Sequence, residues 1–178
     1  MAGVPMVLRD RVEAPRARGA LPPRDLQELW FATRRRPWTS LCVVPAAPGM
    51  SVVPIARALA EVGQLVSRDP VRVIDAEGMD LAQIADIVLE MSTAGSSVWT
   101  SIPRQGRRDV PSAARDGTPL VLAIDSVVEN PLVLPIPLAA DVVLLCAELG
   151  ASDLAAARHT VELIGRDRIV GIVLVKRR

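Results

Sequence analysis

Tyrosine is absent from this chain of 178 residues, phenylalanine occurs once and tryptophan three times. So few aromatic rings exclude a stacking platform for single-stranded nucleic acid and require a core of Val, Leu, Ile and Ala. Lysine is as scarce, since Lys176 is the sole lysine among 21 basic residues. Cysteine occurs twice, at Cys42 and Cys146, each inside an apolar run with no second ligand pair. That spacing offers neither a zinc site nor a redox motif and reads as two buried thiols in a reducing compartment. The one histidine, His159, has no Ser or Cys constellation around it and reads as a surface group.

A strong charge of either sign is also lacking. The formal net charge is +1, which argues against nucleic acid as a partner, because that footprint needs a basic face. No secretory signal opens the chain, since Arg9, Asp10, Arg11 and Glu13 interrupt any apolar run there. The most apolar stretch, Pro131 to Cys146, holds three prolines and Asp141 and is too short to span a bilayer. The location expected from these absences is cytoplasmic.

What is present is aliphatic. Half of the residues are apolar, enough for one sizeable core. The basic residues are uneven: Arg9, Arg11, Arg16, Arg18, Arg24, Arg34, Arg35 and Arg36 crowd the first 36 positions, against Asp10, Glu13, Asp25 and Glu28. Residues 1–23 mix Pro, Arg and Gly without a sustained period and read as a solvated arm, with contact to an acidic partner or an anionic membrane surface as the alternative. Residues 24–178 read as a single domain.

Within that domain the pattern alternates. Leu26, Leu29 and Trp30 recur at helical spacing from Arg24 to Arg36, and Pro37 marks the stop. Ser40 to Val44 reads as a strand, Ser51 to Val62 as a helix and Val71 to Ile74 as a strand. Asp80 caps a helix whose Leu81, Ile84, Ala85 and Val88 share a face. Leu120 to Ile124 and Asp141 to Cys146 are further strands, and the polar stretch between Ser92 and Gly117 holds a short strand around Val98 to Ile102. Ser152 caps a helix carrying Leu154, Ala157, Val161 and Ile164, and Ile169 to Val175 closes the series. Continuous aliphatic strands alternating with amphipathic helices specify an α/β fold, a mostly parallel sheet with helices on both faces.

Ligands of such sheets bind at the carboxyl ends of the strands. Three features fall there. Pro48, Gly49, Met50 and Ser51 form a turn between the first strand and its helix, placed like a phosphate-binding loop. Asp75 and Glu77 end one strand, and Asp125 ends another. A working phosphate loop carries a lysine just after its last glycine, followed by Ser or Thr; Val52 and Val53 stand at those positions, and Pro54 removes an amide donor. An ordinary structural role competes at every one of these residues: Ser51 as a helix cap, the three acids as surface groups, and Trp30 and Trp38 as packing for the first helix.

The order of these landmarks resembles the cytoplasmic kinase domain of bacterial tyrosine kinases that regulate capsule and exopolysaccharide synthesis, a branch of the partitioning-type phosphate-loop ATPases. Pro48-Gly49 matches the start of the family's first motif and Ala58-Leu59-Ala60 resembles its end. Ile74-Asp75-Ala76-Glu77 resembles its second motif, whose acids help hold magnesium, and Ala123-Ile124-Asp125 its third, although Ser126-Val127-Val128 replaces the usual Thr-Pro-Pro. Pro137 to Leu145 and Gly171 to Leu174 resemble the runs that close the fold, with Val175 where an asparagine would meet the base. Only Glu28 and Arg34 suggest the family's ring-assembly motif, and no tyrosine is available for autophosphorylation. The resemblance implies a degenerate phosphate-loop fold with no catalytic residues, vestigial nucleotide positions Pro48, Gly49, Met50 and Ser51, and vestigial metal positions Asp75, Glu77 and Asp125.

The function expected is regulatory or scaffolding, without a cofactor, at the cytoplasmic side and in reach of the inner face of the membrane. By the resemblance its partner would be a membrane-bound polysaccharide-export component or an active paralogue, with homo-oligomerisation left open. The alternative is an unconventional ATPase or nucleotide sensor that holds ATP and magnesium through Asp75 and Asp125.

Overall fold

A computed structural model of the chain describes residues 6–8, 23–67, 70–94, 118–150 and 153–176. Its elements follow in the order β1 (Met6–Leu8), α1 (Arg24–Thr33), β2 (Ser40–Pro45), α2 (Val53–Ser67), β3 (Arg72–Asp75), α3 (Leu81–Ala94), β4 (Leu120–Ala123), α4 (Pro135–Ala139), β5 (Val142–Leu149), α5 (Leu154–Ile164) and β6 (Ile169–Lys176). Single 3-10 turns at Pro131–Val133 and Arg166–Arg168 precede α4 and β6. The strands form one sheet in the order β1-β6-β5-β2-β4-β3. Every pair is parallel.

The handedness of parallel crossovers explains where the helices lie. A strand-helix-strand step in a parallel sheet is almost always right-handed, so steps in opposite directions along the sheet put their helices on opposite faces. The steps from β1 to β2 and from β2 to β3 run one way, and α1 and α2 share one core with Leu41, Val43, Val121, Ala123, Val142 and Leu144. The steps from β3 to β4, β4 to β5 and β5 to β6 run the other way. Their helices share the second core with Cys42, Val44, Leu120, Leu122, Val143 and Leu145. Alternate residues of β2, β4 and β5 thus feed opposite cores, which is why these strands read as unbroken aliphatic runs. Both cysteines are fully buried among them as free thiols, and burial pushes both thiols well above their ordinary range.

Trp30 is the wedge of the first core. Its ring lies against Gly63 of α2, where a Cβ would come within 2.4 Å of the ring atoms. Trp38 meets it edge-on at 5.5 Å between centroids, and the Arg34 guanidinium covers Trp38 at 3.9 Å. The buried Trp38 indole N–H donates to Thr33 O at 3.2 Å, which removes the cost of burying that donor. Packing of the first helix is therefore what both tryptophans do.

Several sequence expectations are corrected. Met6–Leu8 belongs to the sheet, pairing with Val173 to Val175, where a solvated arm was expected; three residues with no periodicity are too few to signal a strand. Helix α1 ends at Thr33, three residues short of Arg36. In α3 the cap is as expected, with Asp80 Oδ1 accepting from Gln83 N at 2.9 Å and Gln83 Oε1 from Asp80 N at 3.0 Å. The inward face, however, is Ile84, Ile87 and Met91, while Leu81 and Ala85 point to solvent. Helix α5 is capped by Asp153, whose Oδ1 accepts from Ala155 N at 2.9 Å, and Leu154 is 74% exposed. Ser152 and the strand expected at Val98 to Ile102 lie outside the described residues.

At the amino end of the sheet a clip joins β2 to β5. Asp141 Oδ2 accepts from Thr39 N, Thr39 Oγ1 and Ser40 N at 2.8 Å each and from Ser40 Oγ at 3.0 Å. Desolvation raises the Asp141 pKa, but these four hydrogen bonds outweigh it and hold the carboxyl below its ordinary value. Among the described residues, no helix is long and apolar enough to cross a membrane.

Candidate functional site

β2 sends its chain to one face of the sheet while its neighbours β4 and β5 send theirs to the other, so a crevice opens beyond the carboxyl ends of these strands. The loop from β2 to α2 leaves the sheet at this end. Ala46 N donates to Cys146 O at 2.7 Å and the buried Thr160 hydroxyl of α5 donates to Ala46 O at 3.2 Å, which anchors the start of the loop. Pro48 and Gly49 are exposed, and Gly49 takes a φ of 82°, a left-handed turn that favours glycine. Met50 is half-buried and Ser51 exposed. The next two side chains turn inward: Val52 is 0% and Val53 8% exposed. Val52 and Val53 thus serve the core.

The three acids converge on the same crevice, but each is engaged by the chain itself. Glu77 reaches back to the start of α2. Its carboxylate accepts the Ser51 hydroxyl at 2.9 Å on both oxygens and the Val52 N–H at 2.9 Å. Asp125 Oδ2 accepts from Gly78 N at 2.8 Å and Asp75 Oδ1 from Glu77 N at 3.3 Å. Asp75 also lies 3.5 Å from Arg57 Nη2. The acids read as a metal set are arranged as a strap: Asp125 and Asp75 hold the loop that carries Glu77, and Glu77 closes it onto α2. Among the described residues, no group of three His, Cys, Asp or Glu side chains is placed to hold a metal ion.

Electrostatics explains the choice of Glu77. A helix N-terminus presents unpaired amides and the positive end of the helix dipole, the same features that attract phosphate. Here a carboxylate of the chain takes that place. Ser51, expected as a cap for α2, gives its hydroxyl to Glu77 instead, and Glu77 supplies the capping anion. Sequence reading missed this role because the partners are 26 positions apart; the available signal was an acid two residues past a strand end, facing a helix start that lacks its own cap. Ser126, directly after Asp125, is buried with its hydroxyl unpaired among the described residues. His159 is exposed on α5, 3.8 Å from Glu162.

At the start of α2 the structure thus shows a carboxylate of the chain on Ser51 and the Val52 N–H, followed by two inward-facing valines. No protein-family model matches the sequence, and a search of curated proteins finds no match.

Proposed function

We propose that this chain is a non-catalytic regulatory or scaffolding protein, built on a degenerate phosphate-loop fold, that acts by binding another protein. One observation carries this reading: the Glu77 carboxylate sits on Ser51 and the Val52 N–H, at the start of α2 where a phosphate would otherwise dock. A nucleotide would have to displace a tethered anion and would then find no lysine to replace the lost contact, since Val52 is buried. By the sequence resemblance the setting would be polysaccharide synthesis or export, with a membrane-bound component or an active paralogue as partner.

Calorimetric titration of the purified chain with ATP, with and without magnesium, tests this. The expected result is no binding heat and no shift in melting temperature. Magnesium-dependent binding without turnover would replace the scaffold by a nucleotide sensor. Hydrolysis abolished by Asp125→Asn would establish an unconventional ATPase and overturn the proposal.

A further inference from the structure

The amino end of the sheet carries a second kind of surface. Helices α1 and α2 run antiparallel to the strands they connect, so both finish at this end, as does α5 before the turn that leads into β6. Phe31 is 56%, Leu65 56% and Val66 43% exposed. These large apolar side chains lie in the last turns of two helices that pack on each other. Arg34, Arg35 and Arg36 follow α1, and Arg166 and Arg168 form the turn before β6. Arg36 Nη1 donates to Asp167 O at 2.9 Å, fastening together two basic segments 131 positions apart. Arg34 is committed to Trp38 and Arg168 to Ala140 O, whereas Arg35 and Arg166 are exposed.

The carboxylates near these arginines do not cancel them. Asp141 is consumed by Thr39 and Ser40, Glu28 pairs with Arg24, and Glu162 lies beside His159. Asp167, between two arginines in sequence, and the exposed Glu61 of α2, one turn before Leu65, remain. Arginine after a helix complements the negative end of its dipole, which accounts for part of the pattern. It does not account for Phe31, Leu65 and Val66 standing exposed at the same end. Apolar side chains beside arginines match a bilayer interface, where the rings and branched chains enter the headgroup region and the guanidinium groups meet lipid phosphates.

We propose that this end of the molecule docks on an anionic lipid bilayer through Phe31, Leu65, Val66, Arg35 and Arg166. The inference is independent of whether the loop before α2 binds a nucleotide. Co-sedimentation of the full chain with phosphatidylglycerol-containing vesicles, against pure phosphatidylcholine vesicles, tests it. The chain is expected to pellet with the anionic vesicles only. Each arginine near an anionic leaflet is worth about fivefold in affinity, so Arg35→Ala with Arg166→Ala should lower binding by roughly 25-fold. Phe31→Ser should lower it several-fold, and both variants should keep the native circular dichroism. Equal binding to neutral vesicles, no binding to either kind, or full binding by the double arginine variant would each overturn the proposal.

Discussion

The two ends of this sheet use carboxylates in different ways. At the amino end one acid, Asp141, takes four hydrogen bonds from two consecutive residues and joins β2 to β5. At the carboxyl end three acids share the work, each making one or two contacts to loops. The first arrangement ties residues 101 and 102 positions apart in sequence and belongs to the fold. The second ties loops to a helix start. A carboxylate at the end of a strand is therefore not informative by its type alone; what it accepts from decides its role.

The largest expected effect separates the two ends directly. Asp141→Ala leaves the Thr39 and Ser40 amides without their acceptor and should cost roughly 2–3 kcal/mol in chemical denaturation. Glu77→Ala should cost about 1 kcal/mol, because it removes the acceptor of one backbone amide, Val52 N–H, against two at Asp141. A larger loss for Glu77→Ala than for Asp141→Ala would reverse the contrast. Between them, Gly63→Ala should cost about 2 kcal/mol, since a Cβ there meets the rigid Trp30 ring and the α1–α2 contact must shift.

Acid sharpens the same contrast. Folding lowers the Asp141 pKa, so the folded state binds that proton more weakly than the unfolded state does. The stability from the clip is complete above the unfolded carboxylate value of about 3.9 and is lost as pH falls through the lower folded value. Asp141→Asn should remove this part of the acid sensitivity, read as a flatter melting temperature against pH below about pH 4. The smallest effects are expected at the carboxyl end. Ser126→Ala should be neutral or slightly stabilising in a thermal melt, because the hydroxyl is buried without a partner. Arg57→Ala should change stability by less than roughly 0.5 kcal/mol, as its contact with Asp75 is largely exposed.

Most of the domain was legible in the sequence because its strands are buried on both faces. Leu120 to Ile124 and Asp141 to Cys146 are runs that only a doubly covered sheet accommodates, and the sheet places them beside β2. Asp80 with Gln83 is local chemistry at fixed spacing and was readable for that reason. Helix faces were harder. Leu81, Ala85 and Leu154 fit an apolar stripe equally well facing in or out, and which way each helix rotates depends on its neighbours. Asp75 and Asp125 both hold the loop that carries Glu77, whereas the contact of Glu77 with Ser51 joins loops from two different strands and leaves no mark in either segment.

The sequence by itself determined an α/β sheet with aliphatic cores and a loop without lysine, because hydrophobic period and residue type are properties of short segments. Only the tertiary structure decided that β1 completes the sheet, that Asp141 joins β2 to β5, and that Glu77 fills the start of α2. Each of these depends on bringing together groups distant in the chain, and the strand order does that through the handedness of its crossovers.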